Sequence, residues 1–286
     1  AFKKSKIMNG FFLVKKEQGY SSNNVVQEIK KKINVKKIGH LGTLDPLATG
    51  LLVLAVNRAT KFSNYFLESD KSYDVEVMLG SSTDTDDSTG NIIFKSDNIP
   101  DKTLVERELS LFKGESLQTP PFYSALKHKG KPLYKYARQG EYISKPPRKI
   151  FVKEISNFNF QKNICSFRID CTKGTYIRSI ARDLGERLGC GAHMKKLVRV
   201  SQGIFSLSNA TSTIDLKKEN IIKIEDAFTN FNNIKLNNTD IKRFTNGVVI
   251  SELEEKDGIY RVFNLNNDFI GIGETKDSFL KHKQLV

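Results

Sequence analysis

Between Lys71 and Leu79 the chain alternates with a period of two. Tyr73, Val75, Val77 and Leu79 fall on one side, and Ser72, Asp74 and Glu76 on the other. That pattern belongs to a half-buried strand and to no helix. Two further strands are read near 150–159 and 164–171; in the second, Cys165, Phe167, Ile169 and Cys171 share one face. Leu51–Val56 is an unbroken apolar run, as expected of a core strand. The run Ile7–Val14 also reads as a buried strand. Lys3, Lys4 and Lys6 before it imitate a signal peptide, but the run contains Asn9, lacks a small-residue cleavage site and ends at Lys15 and Lys16. No stretch approaches the roughly 20 apolar residues that a membrane-spanning helix needs.

Helical spacing appears in four places. Over 21–33, Val25, Ile29 and Ile33 share a face with Val26 beside them, and Ser21, Ser22 and Asn24 offer N-cap oxygens. Five lysines, Lys30, Lys31, Lys32, Lys36 and Lys37, gather at its C-terminal end, favourably for the helix dipole. Segments 59–68 and 103–112 also read as helices. Over 176–188, Ile177, Ile180, Ala181, Leu184 and Leu188 form a buried face, and Arg178 and Arg182 lie one turn apart on another.

With 286 residues the chain can bury a core without disulfides or a structural metal. Its three cysteines, Cys165, Cys171 and Cys190, form no C-x-x-C pair, so no zinc ribbon or redox motif is expected. Cys190 and His193 lack two further ligands and are read as structural. A reducing, cytoplasmic setting is expected. The acidic turn T-D-T-D-D-S-T-G-N after Leu79 lacks the closing glutamate of a calcium loop.

The net charge is +14, which favours a polyanionic partner, most often nucleic acid. The excess is unevenly placed. Residues 235–286 hold eight Lys/Arg and eight Asp/Glu and are net zero, so residues 1–234 carry all of it. Between Lys127 and Lys149 stand eight basic residues and one acid, Glu141, interleaved with Tyr134, Tyr136 and Tyr142. Cations for phosphate and rings for stacking suit an arm that faces RNA; an exposed basic loop with packed tyrosines is the plainer alternative. The last 52 residues read as short strands, V-V-I, I-Y-R-V-F and D-F-I-G-I-G, making a small β domain.

The most unusual segment is G-H-L-G-T-L-D-P-L-A-T-G at 39–50. Pro46 biases Asp45 toward extended backbone, and Gly42 and Gly50 permit tight turns or close approach. By composition alone, Asp45 reads as the satisfied acid of a turn rather than a reacting group.

This string resembles the signature of the TruB family of tRNA pseudouridine synthases, and others follow it in family order. K-K-E-Q-G-Y-S-S at 15–22 resembles the lysine-bearing strand and its turn. A-T-K at 59–61 and D-K-S-Y at 70–73 follow. Q-T-P-P-F-Y-S-A-L-K at 118–127, then L-Y and A-R-Q-G, resemble the inserted thumb. C-T-K-G-T-Y-I-R-S-I-A-R-D-L-G at 171–185 resembles the second active-site strand and helix. The resemblance spans residues 10 to about 205. It departs at Glu17, where the family usually has proline, and at Val198 in L-V-R, where it usually has a basic residue. Residues 235–286 match a shortened PUA-like domain loosely.

The resemblance implies an α+β fold: a mostly antiparallel central sheet with flanking helices, a thumb at about 115–149 within a catalytic domain of 1–234, and a small β domain over 235–286. It implies isomerisation of uridine 55 in the T loop of tRNA, with the base flipped out and no cofactor or metal. Asp45 is then the catalytic carboxylate, as nucleophile or as base. Arg178 pairs with it, Tyr73 stacks on the base, and Tyr176 hydrogen-bonds in the pocket. His40 fills the space of the extruded nucleotide. Lys16 and Lys61 support the loop or meet phosphates, and Leu197 walls the pocket. Lys127, Lys129, Lys131 and Arg138 contact RNA from the thumb. The expected partner is the tRNA T arm, for a monomer without guide RNA or membrane. A guide-RNA-dependent synthase and a tRNA-folding chaperone with secondary catalysis are the alternatives.

Overall fold

A computed structural model describes residues 8–251 and 253–286. In chain order the elements are β1 (Gly10–Lys16), α1 (Ser22–Ile33), β2 (Ile38–His40) and β3 (Thr49–Val56). A 3₁₀ turn (Asn57–Phe62) runs into α2 (Ser63–Leu67), followed by β4 (Lys71–Leu79), β5 (Ser81–Thr83), β6 (Ile92–Lys95), α3 (Lys102–Ser110) and β7 (Gly114–Gln118). Next come the small hairpin β8 (Lys127–His128) and β9 (Lys131–Pro132), α4 (Leu133–Ala137), β10 (Arg148–Gln161), β11 (Ile164–Cys171), α5 (Ile177–Arg187) and β12 (Ala192–Gln202). The short β13 (Phe205–Ser206) and β14 (Thr211–Ser212) lead to β15 (Asn232–Leu236), α6 (Asn238–Thr245), β16 (Gly258–Asn264), β17 (Phe269–Lys276) and β18 (Phe279–Leu285).

The central sheet is ordered β14-β1-β3-β12-β4-β11-β10-β7, with β13 beside β12 and β2 beside β3. Its pairs are antiparallel except β1 with β14 and β3 with β12. Two kinds of strand sequence map onto two kinds of covering. In β1, Phe12 and Val14 enter the core beneath α1 and α5, while Phe11 and Leu13 enter a second core with Phe62, Phe66, Phe205 and Phe228. Both faces are covered, so an unbroken apolar run is required. In β4 and β11, Tyr73, Val75, Val77, Phe167 and Ile169 are buried. The opposite face is open, over a shallow cavity of about 260 Å³ lined by Asp74, Glu76, Arg168 and Lys196. There Arg168 clamps Asp74 with two hydrogen bonds of 2.7 and 2.9 Å. That openness is why these strands alternate.

Three boundaries differ from the sequence reading. Ile7 lies outside the described residues, and the first strand runs Gly10–Lys16. The thumb expected at 115–149 begins and ends inside the sheet: β7 pairs with β10 through Arg148↔Gln118 and Lys149↔Leu117, leaving 119–147 outside it. In the C-terminal region the four-stranded sheet starts at Asn232, and β15 and β16 pair in parallel. V-V-I is no strand; only Ile250 bridges, to Leu280. The preceding segment forms α6, capped by Asn237, and buries Phe244 against Ile234, Val262 and Leu280. This sheet is tied to the body. Ile272 joins the second core, and the Arg261 guanidinium donates to the Phe231 and Glu225 carbonyls at 3.1 Å each.

Candidate active site

The loop between β2 and β3 carries Asp45, and buried side chains from three elements hold its backbone. Lys16, at the end of β1, is buried and donates from Nζ to the Ala48 carbonyl at 2.6 Å and the Pro46 carbonyl at 3.4 Å. Ser22, the first residue of α1, donates its hydroxyl to the Leu44 carbonyl (2.9 Å) and accepts the Leu44 N–H (2.8 Å). Gly19 N–H donates to the Pro46 carbonyl at 2.8 Å. The segment K-K-E-Q-G-Y-S-S is therefore a clamp on the loop, placed by the Ser21–Asn24 capping box that starts α1. From β12, Arg199 donates to the Leu51 carbonyl (2.7 Å) and the Gly42 carbonyl (3.1 Å), and Gln202 donates to the Leu41 carbonyl. Gly50 fits this approach: its φ is +97°, and a Cβ there would lie 2.4 Å from the Arg199 carbonyl oxygen.

Asp45 faces Arg178. The Arg178 Nε and Asp45 Oδ2 are 2.8 Å apart, with the arginine side chain 4% exposed and the carboxylate 36% exposed. The Nε–H is not aimed at the oxygen, so the contact is an ion pair more than a directed hydrogen bond. The guanidinium is fixed on its other sides: Nη1 donates to the Thr85 carbonyl (3.1 Å) and Nη2 to the Tyr123 carbonyl (2.7 Å). Asp87 Oδ2 lies 4.0 Å from Nε, and Asp87 Oδ1 accepts from Thr85 Oγ1 and the Thr89 N–H at 2.9 Å each. The acidic turn thus directs two of its three carboxylates, Asp86 and Asp87, at arginines, while Asp84 accepts from Asn91. Asp86 pairs with Arg182 at 3.1 Å, and burial raises its carboxyl to about 6 against the pull of Arg182 and Arg178.

Tyr176 caps α5 with its backbone. Its N–H donates to Gln118 Oε1 (2.8 Å), and Gln118 Nε2 donates to its carbonyl (3.1 Å). Its ring lies under the Arg148 guanidinium, 4.7 Å from the centroid. Tyr73 is buried on β4, in register with Arg199 on β12. Burial pushes its hydroxyl up to about 12 despite the facing Arg199 guanidinium. Leu197, two residues before Arg199, is buried on the same face. His40 on β2 holds its Nδ1 buried and unpaired; burial, then Arg199, lowers its basicity. Burial brings Lys16 down to about 8, with Asp45 opposing and Arg199 assisting.

The structure therefore gathers Asp45, Arg178, Tyr73, His40, Leu197 and Lys16 around one loop, and places Tyr176 two residues before Arg178 at the start of α5, against Gln118 and Arg148. Lys16 takes the loop-supporting role of its two expected roles, its ammonium being spent on carbonyls. Lys61 stands apart, exposed on the 3₁₀ turn with no hydrogen bond or ion pair among the described residues. In the thumb, Lys127, Lys129 and Arg138 are exposed, whereas Lys131 is half-buried, donates to Gln139 Oε1 (2.6 Å) and sits 4.5 Å over the Tyr136 ring. Arg138 covers Tyr134 at 5.4 Å, so these two tyrosines are occupied by their own cations.

Arg199, Gln202, Gln118 and Asp87 were not singled out from the sequence, and Ser22 only as an N-cap candidate. One signal existed: Arg199 follows Leu197 at strand spacing, which puts an arginine on an inward face. The family departure at Val198 points the other way, into the open trough with Asp74 and Arg168, and Glu17 is exposed. Neither side chain reaches Asp45 or Arg178: Glu17 meets Lys16 through its backbone carbonyl at 3.0 Å, and Val198 pairs with Thr49 at the end of the loop. The three cysteines are free and buried, and His193 Nδ1 lies 2.9 Å from the Ser81 carbonyl oxygen. Among the described residues no three His, Cys, Asp or Glu converge as metal ligands, and no helix is long and apolar enough to cross a membrane.

Comparisons with known proteins cover the whole of this arrangement. Residues 30–177 match the model of the TruB family pseudouridylate synthase N-terminal domain, 178–230 that of the tRNA pseudouridylate synthase B C-terminal domain, and 233–286 that of the pseudouridine synthase II TruB C-terminal region. The tRNA pseudouridine synthase B of Francisella philomiragia is 46% identical over 212 residues, covering 73% of this chain and 70% of that protein. The protein of the same name from Clostridium acetobutylicum is 39% identical over 288 residues, covering 98% and 100%. Among solved structures, a chain of a Cbf5-Nop10-Gar1 complex superposes with a TM-score of 0.72 at 22% identity, covering 98% of this chain and 85% of that one. A chain of an H/ACA RNP bound to a substrate RNA gives 0.71 at 21%. At such identity the likeness shows the fold.

Proposed function

The chain belongs to the TruB family of pseudouridine synthases, and from that premise we propose that it isomerises uridine 55 in the T loop of tRNA to pseudouridine. The observation that carries this reading is the Asp45–Arg178 pair: a carboxylate open to solvent on one side and backed by a guanidinium that is itself buried. The buried guanidinium gives the carboxylate a fixed counter-charge and holds it in position at the edge of the loop. In the reaction the bond from C1′ to N1 breaks, the uracil turns, and C5 bonds to C1′. The C5 proton leaves and N1 gains one, so neither an oxidant nor water is consumed. Asp45 acts at the ribose, as nucleophile or as base. Tyr73, walled by Leu197, stacks on the flipped base, and His40 fills the place it left. Tyr176 borders the pocket and assists proton transfer at C5. The chemistry calls on side chains of this chain and on no cofactor.

The substrate is read by shape and backbone, as folded RNA usually is, with the thumb cations along its phosphates and no guide RNA. Residues 1–234 with the thumb serve as the catalytic domain, and the β domain that follows as a PUA-like appendage. The test is release of tritium from tRNA labelled with 5-³H-uridine. Wild type releases it, and Asp45→Asn and Asp45→Ala do not. Release by either variant at the wild-type rate would show that another group does the chemistry.

A further inference from the structure

Of the thumb aromatics, two pairs differ in what already covers them. Tyr134 and Tyr136 lie under Arg138 and Lys131, and the Tyr136 hydroxyl donates to the His128 carbonyl at 3.1 Å. Phe122 and Tyr142 have no such cover. Their rings meet edge to face, 5.4 Å between centroids, with 40% and 53% of their surfaces exposed. Large apolar side chains left open in a strongly basic segment need a reason, because solvation alone favours polar residues there.

We infer that Phe122 and Tyr142 form a stacking platform for an unpaired base of the RNA, distinct from the base that is isomerised. The inference rests on the reading that the substrate is a structured RNA, and it names where a second nucleotide is held. Three observations support it. The surroundings suit a polyanion: 127–149 carries eight basic residues against one acid, and the Arg138 charge reaches neighbouring Tyr123. The platform is anchored, since Pro121 before it and Ser124 after it are buried. It is also close to the chemistry. The Tyr123 carbonyl, one residue from Phe122, receives Arg178 Nη2 at 2.7 Å, and the same guanidinium touches Asp45 at 2.8 Å. The occupant is therefore a near neighbour of the flipped nucleotide. Rings take any base by its π-face, so the platform holds an unpaired base without reading its identity.

The chain contains no tryptophan, which makes the test direct. A Tyr142→Trp variant places a single indole on the platform, and titration with a T-arm stem-loop RNA is expected to quench its fluorescence. Phe122→Leu with Tyr142→Leu is expected to raise the Kd for that RNA roughly tenfold while leaving the salt slope unchanged, because no phosphate contact is removed. Absence of quenching at saturating RNA, or a Kd within twofold of wild type, would overturn the platform. Wild type assayed in parallel for tritium release keeps the two readings separate. If it does not isomerise this RNA, the proposed activity fails on its own, whatever the quenching shows.

Discussion

Two basic regions meet at this site and use their cations in opposite ways. Beneath the loop at 39–50, Lys16 and Arg199 are almost wholly buried, and their donors end on backbone carbonyls: those of that loop and of β3 and, for Lys16, also that of Glu17. In the thumb, Lys127, Lys129 and Arg138 stand in solvent. The first set costs desolvation and yields rigidity. The second keeps its charge available and yields long-range attraction to phosphate. A net charge of +14 thus conceals a part spent on structure and a part left free in solvent, which we propose binds RNA, and only burial separates them.

The difference can be broken or sharpened by substitution. Arg178→Gln, which frees Asp45 from its partner and unties the Thr85 and Tyr123 carbonyls, is expected to lower kcat by at least about a hundredfold, the cost of misplacing a reacting group by an ångström; single-turnover tritium release measures it. Arg199→Met leaves the Leu51 and Gly42 carbonyls without a buried donor, for a loss of about 2–4 kcal/mol in urea unfolding. If it weakened RNA binding and left stability intact, the division between the two regions would be wrong.

Lys16 offers a pH signature. Its folded value of about 8 lies below the ordinary 10.5. Between those limits the unfolded chain binds more protons than the native one, so this group makes stability rise as pH increases from about 8 to 10.5. Urea unfolding of wild type and Lys16→Met across that range should show the rise in the former and its loss in the latter. The smallest effect is expected in the thumb. Lys127→Ala with Lys129→Ala should reduce the slope of log affinity against log salt by up to about 2, each phosphate contact adding somewhat under one, with unfolding unchanged. Lys131→Ala should add less, because Gln139 and Tyr136 already engage that ammonium.

Much of the fold was readable from local pattern. Alternation over 71–79 and 164–171 placed β4 and β11 and their inward faces, and the apolar runs marked β1 and β3, because covering on one face or two leaves different sequence periods. The misses have physical causes. V-V-I has strand composition but continues a helix end, and α6 was overlooked because its sequence buries just Phe244. The thumb boundaries lay inside β7 and β10, since a sheet edge exposes its side chains and so resembles a loop: β7 buries Gln118 alone.

The motif strings determined, without any coordinates, that Asp45, Tyr73, Tyr176 and Arg178 belong to one family signature, and the charge count determined that the basic excess lies before residue 235. Tertiary structure alone decided which cations are spent and which are free, that Asp87 and Arg199 stand behind Arg178 and Tyr73, and that Phe122 and Tyr142 remain uncovered where Tyr134 and Tyr136 do not. The reason is that burial and hydrogen-bond partnership are relations between distant segments: Arg199 meets Gly42 across 157 positions, and Arg178 meets Thr85 across 93. No local period in a sequence encodes such a pairing; the order and register of the strands in the sheet, and the helix packed on it, do.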